Sequence, residues 1–461
     1  MTRSTRGWLM RRLFIGIAAL ALLGPAAVAM PDAGPGQAPD LILHGAIVLT
    51  MDPDEPTASA IAIAGDRIVA VGTDEEVLPL ADASTTLVDL DGLTVTPGFI
   101  DSHGHWIGDR ELYGVSTPQE AIRRALEGGW TSINEMFVNQ DRLDELTALD
   151  AAGELRLRVN AYLPVNYGTD QKFGFWFQDL TPGAQVGPRL RLAGAKFFID
   201  GCGPQTYYLS DPRDDGNRGE FNWTRRQLRR LVARIHDAGW QIAAHTCGDG
   251  ATDEILDALE LAFDGQPGRG FRPRLEHLIV TRDDQLRRMR RLGVTASFQI
   301  TFVDTSWVAD LEDVFRPSQR HLLGRWRDMV DEPGLRTIGS TDTPYGEGGP
   351  DLRPSSVMDA LVQATTKRAE PGDPVPRWLR GQRLTIDQAL RLLTTGGAYG
   401  IFAEDDLGMI APGMLADLVV LSEDPHDVPR LELDQIHVLM VFVGGTLEVC
   451  SPESTVECPA T

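Results

Sequence analysis

Two histidines one residue apart, a lysine inside an apolar run, two further histidines and an aspartate stand out in this chain of 461 residues. His103 and His105 lie in Thr96-Pro97-Gly98-Phe99-Ile100-Asp101-Ser102-His103-Gly104-His105. Strand side chains alternate with period two, so both imidazoles project to one side, as a pair of metal ligands must. Lys196 sits in Ala195-Lys196-Phe197-Phe198-Ile199-Asp200. An ammonium buried there is costly unless it is paired or loses its charge. A salt bridge to Asp200 is one resolution. The other is reaction of the amine with carbon dioxide, which makes an anionic carbamate able to bridge two metals. His245 in Ala243-Ala244-His245-Thr246-Cys247-Gly248-Asp249, His277 in Arg274-Leu275-Glu276-His277 and Asp342 in Gly339-Ser340-Thr341-Asp342-Thr343-Pro344 complete the set.

The six lie at or near the ends of runs that read as strands. Eight such runs occupy the centre of the chain: Val95–Ile100, Thr131–Asn134, Leu157–Leu163, Ala193–Ile199, Gln241–Ala244, Arg274–Glu276, Val294–Phe298 and Thr337–Gly339. Helix-like stretches fall between them at Pro118–Glu127, Asp141–Ala151, Arg225–Ala238, Asp253–Phe263 and Asp283–Leu292. Eight strands alternating with helices predict an α/β fold, a (β/α)8 TIM barrel over 97–400, with chemistry at the C-terminal strand ends. The candidate ligands end the first, fourth, fifth, sixth and eighth of those runs, and a barrel rim gathers such ends around one axis. Short apolar runs near both termini (Leu41–Leu43, Ala46–Leu49, Ala58–Ala64 and Ile68–Val71; Ala416–Leu421, His437–Val443 and Thr446–Val449) predict a small β-sandwich-like domain built from 40–96 plus 401–450, followed by a tail over 451–461.

The pattern resembles the metal-dependent amidohydrolase superfamily, and within it the YtcJ-like branch. Residues 97–105, Lys196 to Gly201 with His245 to Asp249, and Leu407-Gly408-Met409-Ile410-Ala411-Pro412-Gly413-Met414-Leu415-Ala416-Asp417-Leu418-Val419-Val420-Leu421 carry the resemblance. It implies a binuclear site: His103, His105, Asp342 and a Lys196 carbamate on one metal, the carbamate with His245 and His277 on the other. Zinc suits imidazole and carboxylate-type oxygen donors. The activity implied is hydrolysis of a C–N bond in an amide, N-acyl or formamide-type compound, with Asp342 moving the proton. The same site serves lactones, esters or phosphoesters in principle, and a non-catalytic scaffold is the remaining alternative. Glu276 is expected to orient a histidine or to be structural, and Asp249 to cap a helix. Two departures from the branch touch the pocket. Only 24 residues separate His105 from Trp130, where relatives carry a long insertion, and Thr-Cys-Gly-Asp-Gly follows His245 in place of Ala-Ile-Gly-Asp-Arg.

Aromatic residues at or beyond strand ends, namely Tyr162, Tyr167, Phe175, Trp176, Tyr207, Tyr208, Trp307 and Tyr345, suggest a small-molecule substrate with an apolar or aromatic group. Arg189, Arg191 and Arg325 are candidate carboxylate anchors. Arg3, Arg6, Arg11 and Arg12, the apolar run Leu13–Leu23 and Ala27-Val28-Ala29 predict a signal peptide over 1–29, with Arg11-Arg12-Leu13-Phe14-Ile15 resembling a twin-arginine signal. The expected location is therefore periplasmic or secreted, with no stable membrane anchor. With 43 basic against 66 acidic residues the net charge is −23, and loss of 1–29 takes it to −27. That balance excludes nucleic acid and anionic lipid as partners. Cys450 and Cys458 are a candidate disulfide in an exported chain. Cys202 and Cys247 follow two of the candidate ligands; pairing across the rim and separate thiols are both compatible with the sequence, and the complete histidine set makes neither necessary as a ligand.

Overall fold

The computed structural model describes residues 38–459 except Phe175, Cys202, Asp214 and 346–354. The expected signal segment 1–29, Phe175 and Cys202 lie outside the described residues. Eight parallel strands form the central sheet: β1 (Phe99–Gly104), β2 (Trp130–Glu135), β3 (Arg158–Pro164), β4 (Leu190–Phe198), β5 (Gln241–Thr246), β6 (Arg274–His277), β7 (Thr295–Gln299) and β8 (Arg336–Ser340), each paired with its neighbour in sequence order. β1, β2, β5, β6 and β7 are buried along their whole length, although β1, β2 and β6 carry charged residues such as Asp101, Glu135, Arg274 and Glu276. Backbone N–H groups of Asp342 and His105 donate to the carbonyls of His103 and Thr343, each at 2.8 Å, and so join the exit of β8 to that of β1. This is the (β/α)8 ring.

Helices lie between the strands. Arg225–Asp237 is typical: Thr224 and Gln227 form a capping box, and Leu228, Val232 and Ile235 recur at helical spacing on its buried face. The helix expected at 253–263 begins earlier, at Asp249, with Gly248 as its N-cap. Asp249 is thus the first helical residue, and its carboxylate accepts from Ser210 and Arg282 (2.7 Å).

The run expected as one strand over 95–100 is divided. Thr94–Pro97 pairs antiparallel with Leu418–Leu421 in a six-stranded sheet, and β1 starts after Gly98. Gly98 donates its N–H to Asp417 O at 2.7 Å, and a Cβ on it would meet Thr131 Oγ1 at 2.2 Å. Only a residue without a side chain lets the chain change sheets this close to β2. The six-stranded sheet combines strands from both ends of the chain, in the order 446–450, 438–443, 418–421, 94–97, 47–49, 57–58. A four-stranded sheet (67–72, 60–64, 41–44, 86–89) shares an apolar core with it through Leu43, Ile61, Ile63, Val95, Leu418 and Phe442. Cys450 and Cys458 are joined by a disulfide.

Candidate metal centre and substrate cavity

His103 and His105 reach the rim from the end of β1, and Asp342 from the loop after β8. Asp101 ties the two segments together: its carboxylate accepts from Thr341 N (2.9 Å), Thr341 Oγ1 (2.6 Å) and Trp106 Nε1 (2.8 Å). His103 Nε2 and His105 Nε2 both lie 3.4 Å from Asp342 Oδ1. That oxygen is buried and has no hydrogen-bond partner among the described residues. An uncompensated buried carboxylate oxygen facing two imidazole nitrogens is the polarity a cation resolves. Asp342 and His277 have left-handed backbone, φ 58° and 74°, a conformation side chains adopt only where surrounding contacts enforce it.

The imidazoles are aimed by partners below them. His103 Nδ1 contacts Glu276 Oε2 at 2.7 Å, leaving Nε2 for the cavity. Glu276 is in turn held by Arg274, whose guanidinium also donates to Ser102 O, Ser297 Oγ and Tyr162 Oη, all of it buried inside the ring. Burial, the largest single influence, would raise the Glu276 pKa; the charge and hydrogen bonds of Arg274, with Lys196 and Ser297, together hold the carboxyl below its usual range. His277 Nδ1 faces Gln299 Oε1 at 2.7 Å. Lys196, fully buried on β4, brings Nζ to 3.1 Å from His103 Nε2. Burial, followed by the Lys196 charge, lowers the pKa of His103 and takes His245 to about 3. Burial takes His105 to about 4 against the pull of Asp109. Asp342 is raised well above the carboxylate range by burial, with Lys196 opposing.

The ligand atoms form two groups. His103, His277 and Asp342 make one; Asp200, His245 and Cys247 make the other. Within the second, His245 Nε2 lies 3.3 Å from Cys247 Sγ, 3.6 Å from Asp200 Oδ1 and 3.2 Å from Gly201 O. His245 Nε2 thus faces Asp200, Cys247 and Gly201 O, while its ring stays 4.3 Å from that of His277 and on the same cavity as Lys196. Asp200 accepts from the backbone N–H of Cys247, Gly248 and Tyr208, which fixes the ends of β4 and β5 to each other.

Above these residues opens a cavity of about 700 Å³. Tyr207, Trp307 and Tyr345 line it, as does Tyr167. Three expected pocket residues are elsewhere. Tyr162 points into the ring, where its hydroxyl donates to Gln241 Oε1 (2.7 Å), because its place in the alternation of β3 faces the interior. Trp176 packs edge-on against Phe177, and Tyr208 stacks on Phe221, so both hold loops together. Arg189 and Arg191 flank the start of β4 and line a separate cavity, since a strand's first residues face the opposite mouth. Arg325 is occupied by Asp283 and Asp328. The sequence reading missed Phe137, Phe173, Phe198 and Phe302 on the cavity wall. Phe198 was open to it: two residues after Lys196, it shares that face of β4. Phe137 packs edge-to-face with Tyr167, Phe173 and Phe198. Arg142, also on the wall, is neutralised by Asp109 at 2.7 Å, and Asp109 accepts from Tyr345 Oη at 3.0 Å.

Comparison with known proteins gives a consistent result. Residues 116–447 match the sequence model of the amidohydrolase family. A Bacillus subtilis protein named as an amidohydrolase, YtcJ, is 26% identical over 266 residues, 57% of this chain and 48% of its own length. The chain thus spans about half of that relative. N-substituted formamide deformylase of Arthrobacter pascens is 25% identical over 88% of this chain and 98% of its own. The structure of an uncharacterized metal-dependent hydrolase from Pyrococcus horikoshii superposes with a TM-score of 0.70 at 22% identity, covering 85% of this chain and 99% of that one. At that identity the likeness is one of fold.

Proposed function

The chain belongs to the amidohydrolase family, and on that premise we propose that it is a metal-dependent hydrolase of a C–N bond in a neutral small molecule. The substrate class is an amide, N-acyl or formamide-type compound bearing an apolar or aromatic group. The observation that carries this reading is the convergence of His103 Nε2 and His105 Nε2 on the orphaned Asp342 Oδ1 at the floor of an aromatic cavity.

His103, His105, His277 and Asp342 supply nitrogen and oxygen donors that suit Zn2+. When bound, zinc would supply a water that ionises near neutral pH and a Lewis acid for the substrate carbonyl. The rest falls to the chain's own groups. Glu276 keeps His103 Nδ1 engaged so that Nε2 faces the metal position. Asp342 takes the proton of the attacking water and returns it to the leaving nitrogen. Lys196 Nζ, by losing its ammonium proton, adding to carbon dioxide and releasing a second proton, becomes a carbamate and turns a cation among imidazoles into an anionic oxygen donor. Its depth and its 3.1 Å approach to His103 Nε2 support that reading. Phe137, Phe198, Phe302 and Trp307 receive the apolar substituent and exclude water. Pairing of Arg142 with Asp109 favours a neutral substrate over an anionic one. The basic, then apolar N-terminal residues and the Cys450–Cys458 disulfide support export to an oxidising compartment.

A substrate panel tests the assignment. Zinc-loaded protein is expected to hydrolyse N-substituted formamides or N-acyl amines, to lose that activity to a chelator and to regain it with Zn2+. Turnover of matched lactones or phosphodiesters with none of the amides would overturn it.

A further inference from the structure

We propose that Asp200, His245 and Cys247, with the carbonyl of Gly201, form a second metal site of mixed sulfur, nitrogen and oxygen donors at the joint of β4 and β5. The Cys247 thiol lines the same cavity as His245. All three side chains are buried.

The ligand atoms of Asp200, His245 and Cys247 all lie within 4.8 Å of one another, close enough to converge on one ion. Zn–N and Zn–O bonds of about 2.0–2.1 Å and a Zn–S bond of about 2.3 Å, set at tetrahedral angles, separate donor atoms by roughly 3.3–3.7 Å. From His245 Nε2, Cys247 Sγ stands at 3.3 Å, Asp200 Oδ1 at 3.6 Å and Gly201 O at 3.2 Å. The frame around them is rigid. Asp200 accepts from Cys247 N at 3.0 Å and Gly248 N at 2.7 Å. A Cβ on Gly248 would meet Tyr208 O at 2.1 Å, so the turn that presents the thiol has one available course. The donor set selects a borderline or soft divalent ion such as Zn2+ or Co2+ over Mg2+ or Ca2+. The rings of His245 and His277 lie 4.3 Å apart, so the site adjoins the Asp342 group. A metal here would replace the carbamate-bridged partner that the sequence reading gave to His245.

The inference rests on the metal-dependent reading, and the test separates the two. The full-length protein is stripped with a chelator and reloaded with Zn2+ or Co2+ alone. The expected result is two equivalents per chain, a near-ultraviolet thiolate-to-Co2+ charge-transfer band, and a sulfur neighbour at about 2.3 Å in the zinc X-ray absorption spectrum. Cys247→Ser removes the band and one equivalent; Asp342→Asn removes the other equivalent and keeps the band. The spectra are taken on wild-type protein, so they decide even where a variant fails to fold. One equivalent with no sulfur neighbour, or a Cys202–Cys247 disulfide in peptide mass mapping, overturns this inference and leaves the functional reading standing. No metal bound at all overturns both.

Discussion

Leu43, Ile61, Ile63, Val95, Leu418 and Phe442 fill the space between the two small sheets. At comparable depth inside the ring stand Asp101, Lys196, Arg274 and Glu276, each essentially inaccessible to solvent. Both regions are sheets with buried faces, yet one buries apolar surface and the other buries charge. The small sheets follow the pattern that maximises transfer free energy, about 25 cal/mol per Å² of apolar area. The ring interior departs from the branched apolar layers usual for such barrels, and it does so directly below the candidate metal ligands. Charges placed there are costly to desolvate unless paired, and three of the four fix a neighbour: Asp101 joins the exits of β1 and β8, Glu276 aims His103, and Arg274 neutralises Glu276. The contrast separates a region built for stability from one whose interior is organised around a site.

Substitutions in the two regions should therefore have opposite signatures. The largest effect is expected at Asp342. Asp342→Asn should lower kcat by on the order of 10⁴-fold while leaving the melting temperature close to wild type, because proton transfer and a ligand oxygen are lost together. Unchanged turnover in that variant would remove Asp342 from the mechanism. Next comes Glu276→Gln, which strands the Arg274 cation. It should cost about 3–5 kcal/mol in urea unfolding and weaken metal binding roughly 10–100-fold. The double variant Arg274→Met with Glu276→Leu should recover much of that stability and none of the activity; recovery of both would show that the buried pair has no role in aiming His103.

In the small sheets Phe442→Ala should cost about 3–5 kcal/mol with kcat/KM per folded molecule unchanged, and a matching loss of activity would erase the distinction between the regions. A smaller effect is expected at the cavity wall. Trp307→Ala should raise KM about tenfold, roughly 1.4 kcal/mol, for substrates with a large apolar group and leave truncated substrates unaffected. Reduction of Cys450–Cys458 should do least. The bridge closes a separation of eight residues near the chain end, where the tail can open locally without global unfolding. Calorimetry should show a shift on the order of 1 °C.

Much of the ring was legible because its strands are short apolar runs with helices between them, a local signal. The first strand was read as one run over Val95 to Ile100, although Pro97-Gly98 interrupts it; the structure places the change of sheet at Gly98, where the chain lies against Thr131. Aromatic side chains were legible as rim residues, and only part of them as cavity residues: Tyr207, Trp307 and Tyr345 line the cavity, whereas Tyr162, Trp176 and Tyr208 do not. Whether Tyr162 faces the interior or Trp176 packs on a loop depends on strand phase and loop course, neither of which composition records.

By itself the sequence determined which side chains could carry chemistry and that they end strands, because residue type and period-two alternation are local properties. Only the tertiary structure decided which nitrogen of each histidine faces the cavity and with whom it stands. His103 is aimed by Glu276, 173 residues away in sequence. His245 sides with Asp200 and Cys247 because the ends of β4 and β5 are bound together through the Asp200 carboxylate. Orientation of a buried imidazole is set by the hydrogen bond at its other nitrogen, and that partner is supplied by the packing of distant strands.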